Sequence, residues 1–197
     1  MSKRRAGLIL VIIGAVLIIS ALLLFAYNMW EDANAGSEAE DILGEVQTAI
    51  TEGKVEDGES DDEEVPPMPV TNVNGYDYIG YLGIPDLNLE LPVMNDWDYN
   101  RLKKAPCRHF GSTYSDDLVI AAHNYNGHFG RLGELEIGAT ITFTDVEGVV
   151  STYTLAEHMK VGPYDVELIR DSEYDLVLYT CTYGGQARVA VGCVRTD

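Results

Sequence analysis

Twenty-two consecutive residues near the N-terminus, Ala6 to Tyr27 (AGLILVIIGAVLIISALLLFAY), carry no charged side chain. At a rise of about 1.5 Å per residue, a helix of that length crosses the roughly 30 Å hydrocarbon core of a bilayer. Lipid offers a lone segment no hydrogen-bond partners, so a helix, which satisfies its own backbone, is the form this run must take there. The sequence therefore predicts a transmembrane anchor over residues 6–27. Lys3, Arg4 and Arg5 precede it, and Glu31 and Asp32 follow it. The positive-inside bias then leaves residues 1–5 as a cytoplasmic tail and puts everything after the anchor outside, giving a single-pass protein of the cell membrane. Ala33-Asn34-Ala35 also offers the small-x-small pattern of a signal-peptide cleavage site. The apolar run exceeds the roughly 7 to 15 residues of a signal-peptide core, and two acids separate it from those alanines, so an uncleaved anchor is the favoured reading.

The rest of the chain divides by charge. Of a formal net charge of -19, from 13 Lys and Arg against 32 Asp and Glu, the excess lies largely before residue 70. Residues 31–64 hold 14 acids and one lysine, Lys54, whereas residues 70–197 hold 18 acids against 9 basic residues. An external portion without clustered Lys and Arg cannot neutralise phosphates, which excludes nucleic acid as a partner. Ser37-Glu38-Ala39-Glu40 resembles a capping box, and Ile42, Leu43, Val46 and Ile50 recur at helical spacing. A short helix over 38–50 is predicted within an acidic extracellular linker, 28–69. Its end, TEGKVEDGESDDEEVPPMP (51–69), combines like charge with Gly and Pro and has almost nothing to bury, the composition of a solvated spacer.

From residue 70 to residue 197 the chain reads as short strands punctuated by turns. Tyr78–Ile84, Leu87–Val93, Leu118–Ala122, Thr140–Asp145, Val149–Ala156, Leu176–Thr180 and Arg188–Arg195 are rich in Val, Ile, Leu, Tyr and Thr. So many strands in one short domain predict an all-β barrel or sandwich. Helices are expected only over Trp97–Ala105, after Asp96 as a candidate N-cap, and over Phe129–Leu135.

Chemistry concentrates in LVLYTCTYGGQAR, residues 176–188, where a strand ends on Thr180 and Cys181, passes a Gly-Gly turn and meets Arg188. A strand cysteine by itself is more often core than nucleophile. Three cysteines, Cys107, Cys181 and Cys193, cannot all pair with one another, and an odd cysteine in an exported protein points to a free reactive thiol or an intermolecular bond. A Cys107–Cys193 disulfide is compatible with the count and leaves Cys181. A nucleophilic thiol needs a base or a positive charge nearby. Of His109, His123, His128 and His158, His123 stands out, because LVIAAHNY runs from a strand directly into a polar loop. Arg188 opens the next strand and could bind a carbonyl oxygen with its donor fork. Cys107-Arg108-His109 looks like half a metal site, but no second ligand pair follows at suitable spacing, so no metal is expected there.

Together these residues resemble a family. The domain from about Tyr76 to Thr196 is similar to the sortases, membrane-anchored cysteine transpeptidases of Gram-positive bacteria. The likeness is carried by IGYLGIPDLNLELPV (79–93), VIAAHNYNGHFGRLGELEIGATITF (119–143), LVLYTC (176–181) and Arg188. The family's Thr-Leu-x-Thr-Cys signature is matched at Leu178, Thr180 and Cys181, with Val177 in place of its first Thr, and Ala122 replaces the usual Gly before the histidine. The resemblance implies a closed barrel of about eight strands, one more than the seven found above, the extra one between Asn100 and Ser115. It implies Cys181 as nucleophile, His123 as general acid and base, Arg188 as the ligand of the oxyanion or substrate carbonyl, and Thr180 as a substrate-binding residue.

The reaction implied is cleavage of an LPxTG-like sorting signal, a thioacyl intermediate on Cys181, and transfer to an amine. Its partners would be sorting-signal-bearing secreted proteins and a cell-wall precursor or other amine acceptor. The segment Lys160–Tyr174 is too short for a long helical insertion, which disfavours the class that carries one. No Asp-Pro-aromatic lid, as in pilin-polymerising sortases, precedes the domain, and no second apolar helix follows the last strand. Attachment of surface proteins to the cell wall is therefore favoured over pilus polymerisation. A cysteine peptidase that releases the acyl group to water, and a non-catalytic membrane-anchored adhesin or sensor, are the alternatives.

Overall fold

Strands form where residues alternate and turns separate them, as seen in the computed structural model, which describes residues 3–58 and 67–197. Among the described residues nine strands follow one another: β1 (Thr71–Val73), β2 (Tyr76–Ile84), β3 (Leu89–Met94), β4 (Cys107–Phe110), β5 (Leu118–Ala121), β6 (Thr140–Asp145), β7 (Val150–Val161), β8 (Leu176–Cys181) and β9 (Arg188–Arg195). Their order in the sheet is β1-β2-β3-β4-β5-β8-β9-β7-β6, and β6 pairs back onto β2 through Gly80–Gly83 and Thr142–Asp145. That last pairing closes β2 to β9 into a barrel of eight strands, with β1 added as a hairpin arm on β2. Closure leaves these eight strands without a free edge.

Strand β4 lies in the interval where an additional strand was expected, while β1 had no clear alternation to announce it. Strand β7 runs on to Val161, five residues past the predicted end, because it pairs along its length with β9, Val161 facing Arg188. The helix predicted over Trp97–Ala105 is reduced to a 3-10 turn at Arg101–Lys103. The Asp98 carboxylate accepts from the Asn100 and Arg101 N–H groups (2.6 and 3.0 Å), a local alternative to helical bonding. Over Phe129–Leu135 only Leu132–Glu134 makes a 3-10 turn; Gly130 and Gly133 weaken the helix, and Phe129, Leu132 and Leu135 turn into the core instead. A single helical turn, α2 (Glu167–Arg170), was not foreseen.

Helix α1 covers Lys3–Thr51, so the two helices predicted over 6–27 and 38–50 belong to one element. No proline occurs between Asn28 and Ser37 to stop it. The chain nonetheless divides into two compact units, Met1–Asn34 and Ala35–Asp197. In the first, the apolar side chains from Leu8 to Trp30 are exposed, and the helix is long and apolar enough to cross a membrane. In the second, Ala35, Ala39, Leu43, Val46 and Ala49 recur at three- and four-residue spacing and are all buried. An ion pair of Lys104 Nζ with Glu38 (2.6 Å) and an Asn74 amide donating to Glu45 (2.8 Å) flank that stripe. Helix residues from Ala35 onward thus pack with the barrel rather than joining the spacer, whose residues 59–66 lie outside the described residues.

Alternation along the strands separates two apolar clusters. Leu82, Leu91, Leu118, Ile120, Phe143, Leu178 and Val191 fill the barrel interior. Val119, Ala121, Val177, Tyr179 and Ala190 face outward and join Val46, Ala49, Leu102 and Ile169, which lie over that wall.

Candidate active site

Strands β5 and β8 are parallel neighbours, paired Leu118 to Leu176, Val119 to Val177, Ile120 to Leu178 and Ala121 to Tyr179. The ladder continues where the Ala122 N–H donates to the Tyr179 carbonyl (3.1 Å). Carried one residue further, the register sets His123 level with Cys181. On the other side of β8, the antiparallel ladder with β9 ends in the pair Cys181–Arg188. Three adjacent strands therefore bring histidine, cysteine and arginine to one rim of the barrel.

They also share a face. Val119 and Ala121 on β5, Val177 and Tyr179 on β8, and Ala190 on β9 all belong to the outward cluster. With a side-chain period of two, positions 123, 181 and 188 fall on that same side. His123, Cys181 and Arg188 are each partly exposed at the end of the buried rows, open to a ligand while their backbones remain tied to the sheet.

The Gly-Gly turn supplies the geometry that joins the last two. Gly184 and Gly185 have φ of 81° and 71°, in the left-handed region that side chains with a Cβ disfavour. Thr182 closes the loop by donating from its N–H to the Ala187 carbonyl (2.9 Å) and accepting from the Ala187 N–H at its hydroxyl (3.0 Å). A tight hairpin thus returns the chain so that the guanidinium-bearing residue faces the thiol-bearing one.

Thr180 points the other way. It is buried, and its hydroxyl donates to the Ala122 carbonyl (2.8 Å), fastening β8 to β5 immediately before His123 and Cys181. Contact between this hydroxyl and a substrate would require exchanging that bond. Beside His123, the Tyr125 ring lies with its centroid 5.0 Å away at an interplanar angle of 38°.

Beneath the rim lies a polar pair that sequence reasoning passed over. The Tyr179 hydroxyl and His109 Nδ1 are 2.6 Å apart, and the imidazole stacks against Trp97 (4.9 Å) and against Phe110 (3.9 Å). Desolvation lowers the His109 pKa to about 4, so the ring is neutral near pH 7 and accepts. Burial pushes the Tyr179 hydroxyl up, against the opposing charge of Arg188, so it keeps its proton and donates. The only signal in the sequence was that Tyr179 shares the strand face of Cys181.

The remaining cysteines stand apart. All three are free thiols, but Cys107 and Cys193 are wholly buried, and burial raises each to about 12. Cys107 and His109 have separate partners, the thiol bonding to the Ala105 carbonyl (3.5 Å) and the imidazole to Tyr179.

Known proteins resemble this chain in sequence and in fold. The family description "Sortase domain" fits residues 82–196, more than half of the chain. Sortase D of Bacillus subtilis is 31% identical over 116 residues, which cover 55% of this chain and 58% of that relative. Among solved structures, a Clostridium perfringens sortase D5 transpeptidase superposes with a TM-score of 0.60 at 18% identity, over 82% of this chain and 99% of that one. Sortase C1 of Streptococcus agalactiae gives 0.55 at 23% identity, over 64% and 71%. At such identities the structures speak for the fold, a closed barrel like this one, while the sequence match over most of the domain carries the kinship: the chain belongs to the sortase family.

Proposed function

We propose that this sortase is a cysteine transpeptidase that cuts an LPxTG-like sorting signal and joins its threonine to an amine, with Cys181 as nucleophile. The Cys181 sulfur attacks the threonine carbonyl carbon, and the oxygen that becomes negative is held by Arg188, whose planar fork presents several donors to one anion. As the C–N bond breaks, His123 gives its proton to the departing amine, leaving a thioester on Cys181. An incoming amine then attacks the thioester, loses its proton to His123 and releases the thiolate, so one amide is exchanged for another. Thr180 serves by holding the strand ends that carry the imidazole and the sulfur. No cofactor is needed for this exchange.

The observation that carries the reading is the register: a parallel ladder and an antiparallel ladder converge so that positions 123, 181 and 188 meet on one face of one rim. A buried structural cysteine needs neither neighbour. The connection between β7 and β8 holds only the single turn α2, which argues against the class with a long helical insertion there; the lack of an Asp-Pro-aromatic motif ahead of the domain favours attachment of surface proteins to a cell-wall precursor over pilin polymerisation. The helix over residues 6–27 is read as the anchor, with its N-terminus in the cytoplasm and the barrel outside.

Mass spectrometry of the protein after exposure to a sorting-signal peptide tests this directly. An acyl adduct on Cys181 is expected, which an added amine converts to ligated peptide; Cys181→Ala should lose both, with turnover down by about a thousandfold or more. Release of free acid with no ligated product at any amine concentration would make the protein a peptidase. No adduct at all would remove the enzyme reading.

A further inference from the structure

We propose that Gly127 is a positioning residue for His123, because its backbone lies directly against Gly36 of α1 and fixes the loop on which the histidine sits; this rests on the transpeptidase reading above. The loop after β5 closes on itself within a few residues. The Phe129 N–H donates to the His123 carbonyl (3.1 Å), and the His128 and Gly130 N–H groups donate to the Tyr125 carbonyl (2.9 and 2.8 Å). Phe129 is fully buried in the barrel core, so one side of the loop is pinned. Its other side meets the helix.

A Cβ added at Gly127 would lie 2.7 Å from the Gly36 Cα and 3.2 Å from the Gly36 nitrogen. Both are backbone atoms, which cannot swing aside as a side chain would. Gly127 is not among the residues of positive φ, so close approach, not conformation, is what demands glycine here. The helix cannot simply back away. Ala35 and Ala39, on either side of Gly36, are buried, and Glu38 is tied to Lys104 at 2.6 Å. A methyl group at 127 must therefore move the loop, one of whose hydrogen bonds ends on the carbonyl of His123 itself. Misplacing a catalytic group by about 1 Å can cost on the order of a hundredfold in rate.

The contact is asymmetric, and that makes it testable. A Cβ built at Gly36 meets nothing nearer than the Gly127 Cα at 3.5 Å, an ordinary separation. Gly36→Ala should be tolerated where Gly127→Ala is not, although both add one methyl group to the same junction.

The experiment uses the full chain in detergent and compares wild type, Gly127→Ala, Gly36→Ala and Gly36→Val. For each it measures kcat and KM with a sorting-signal peptide, the unfolding temperature, and the pH dependence of iodoacetamide alkylation at Cys181. Expected for Gly127→Ala is a kcat lower by about tenfold or more with KM within about twofold. The alkylation profile should shift by at least about half a pH unit, because the thiol loses its aligned imidazole. Gly36→Ala should match wild type. Gly36→Val, reaching the loop from the helix side, should repeat the kcat loss and the profile shift, and it decides the matter if Gly127→Ala does not fold. A Gly127→Ala protein with wild-type kcat and profile, or losses that follow the unfolded fraction with an unchanged profile, would overturn the proposal. If wild type acylates no peptide, the transpeptidase reading fails separately, and the alkylation profiles still decide the role of Gly127.

Discussion

The ladder between β8 and β9 carries a cysteine at each end, and the two ends behave as different materials. At one end Leu176 faces Cys193, whose thiol points into the barrel, is wholly buried and is pushed up to about 12 by desolvation. At the other end Cys181 faces Arg188, on the outward side and partly exposed. Cys107 is the control that separates face from rim. It belongs to the outward cluster, as Val177 and Tyr179 do, yet it is buried there and is raised as far as Cys193. Being outside the barrel is therefore not enough to make a thiol useful. The strand must also run out from under its cover at that residue and end beside a positive charge.

The sharpest way to break this comparison is to ask the three thiols to react. A thiol with a pKa of about 12 is ionised to roughly one part in thirty thousand at pH 7.5, and a buried one is also out of reach of reagent. Iodoacetamide added to the native protein should modify Cys181 at least about a thousandfold faster than Cys107 or Cys193, with peptide mapping as the readout. In denaturant the three should react alike. Comparable native rates would mean that the ends of the ladder do not differ as described.

A smaller effect sharpens the part played by the charge. Arg188→Lys keeps a cation across from Cys181 and removes the planar fork. If the guanidinium binds the developing oxyanion, kcat should fall by about a hundredfold, the scale of losing one oxyanion donor, while KM changes little. If charge alone matters, lysine should retain most of the rate. Single-turnover acylation of Cys181 separates the two outcomes.

The contrast between the ends also marks what could be read from residues alone. Position 181 was legible because a strand-forming run, a Gly-Gly turn and an arginine lie together in thirteen residues, and a hairpin makes sequence neighbours into spatial ones. His123 is 58 residues from Cys181 in sequence, but both end strand-like runs, and a parallel pairing is what sets them level. Strand β1 was missed because TNV is too short to show alternation. The expected helix at Trp97–Ala105 failed because Asp98 bonds its own local backbone and Trp97 stacks on His109, contacts no helical periodicity reports. The burial of one face of the helix over residues 35–49 was partly hidden for a related reason. Ala35, Ala39 and Ala49 make a buried stripe of small side chains, and alanine is a weak hydrophobic signal even when its backbone is held close.

The mildest test concerns the polar pair beneath the open end. His109 has a native pKa of about 4, against an ordinary value near 6.5, because the folded protein desolvates it. A histidine with a lowered native pKa favours the folded state fully when both states are neutral, above about pH 6.5. Between about 6.5 and 4 the unfolded chain binds a proton that the native one refuses, so stability must fall as pH falls through that window, and it levels off below. With its partial exposure allowed for, the loss amounts to about 2 kcal/mol. Protonated Nδ1 can no longer accept from the Tyr179 hydroxyl, so the change is local to the rim and leaves the Cys193 end untouched. Denaturant melts of the wild type at pH 7 and pH 4.5, set beside those of His109→Gln, should show the extra acid sensitivity only in the protein that keeps the imidazole. Hydrogen exchange should place the loosening at Tyr179 and Thr180 before it reaches Leu176. Equal acid sensitivity in both proteins would assign the loss to carboxylates elsewhere and leave the two ends of the ladder equally firm.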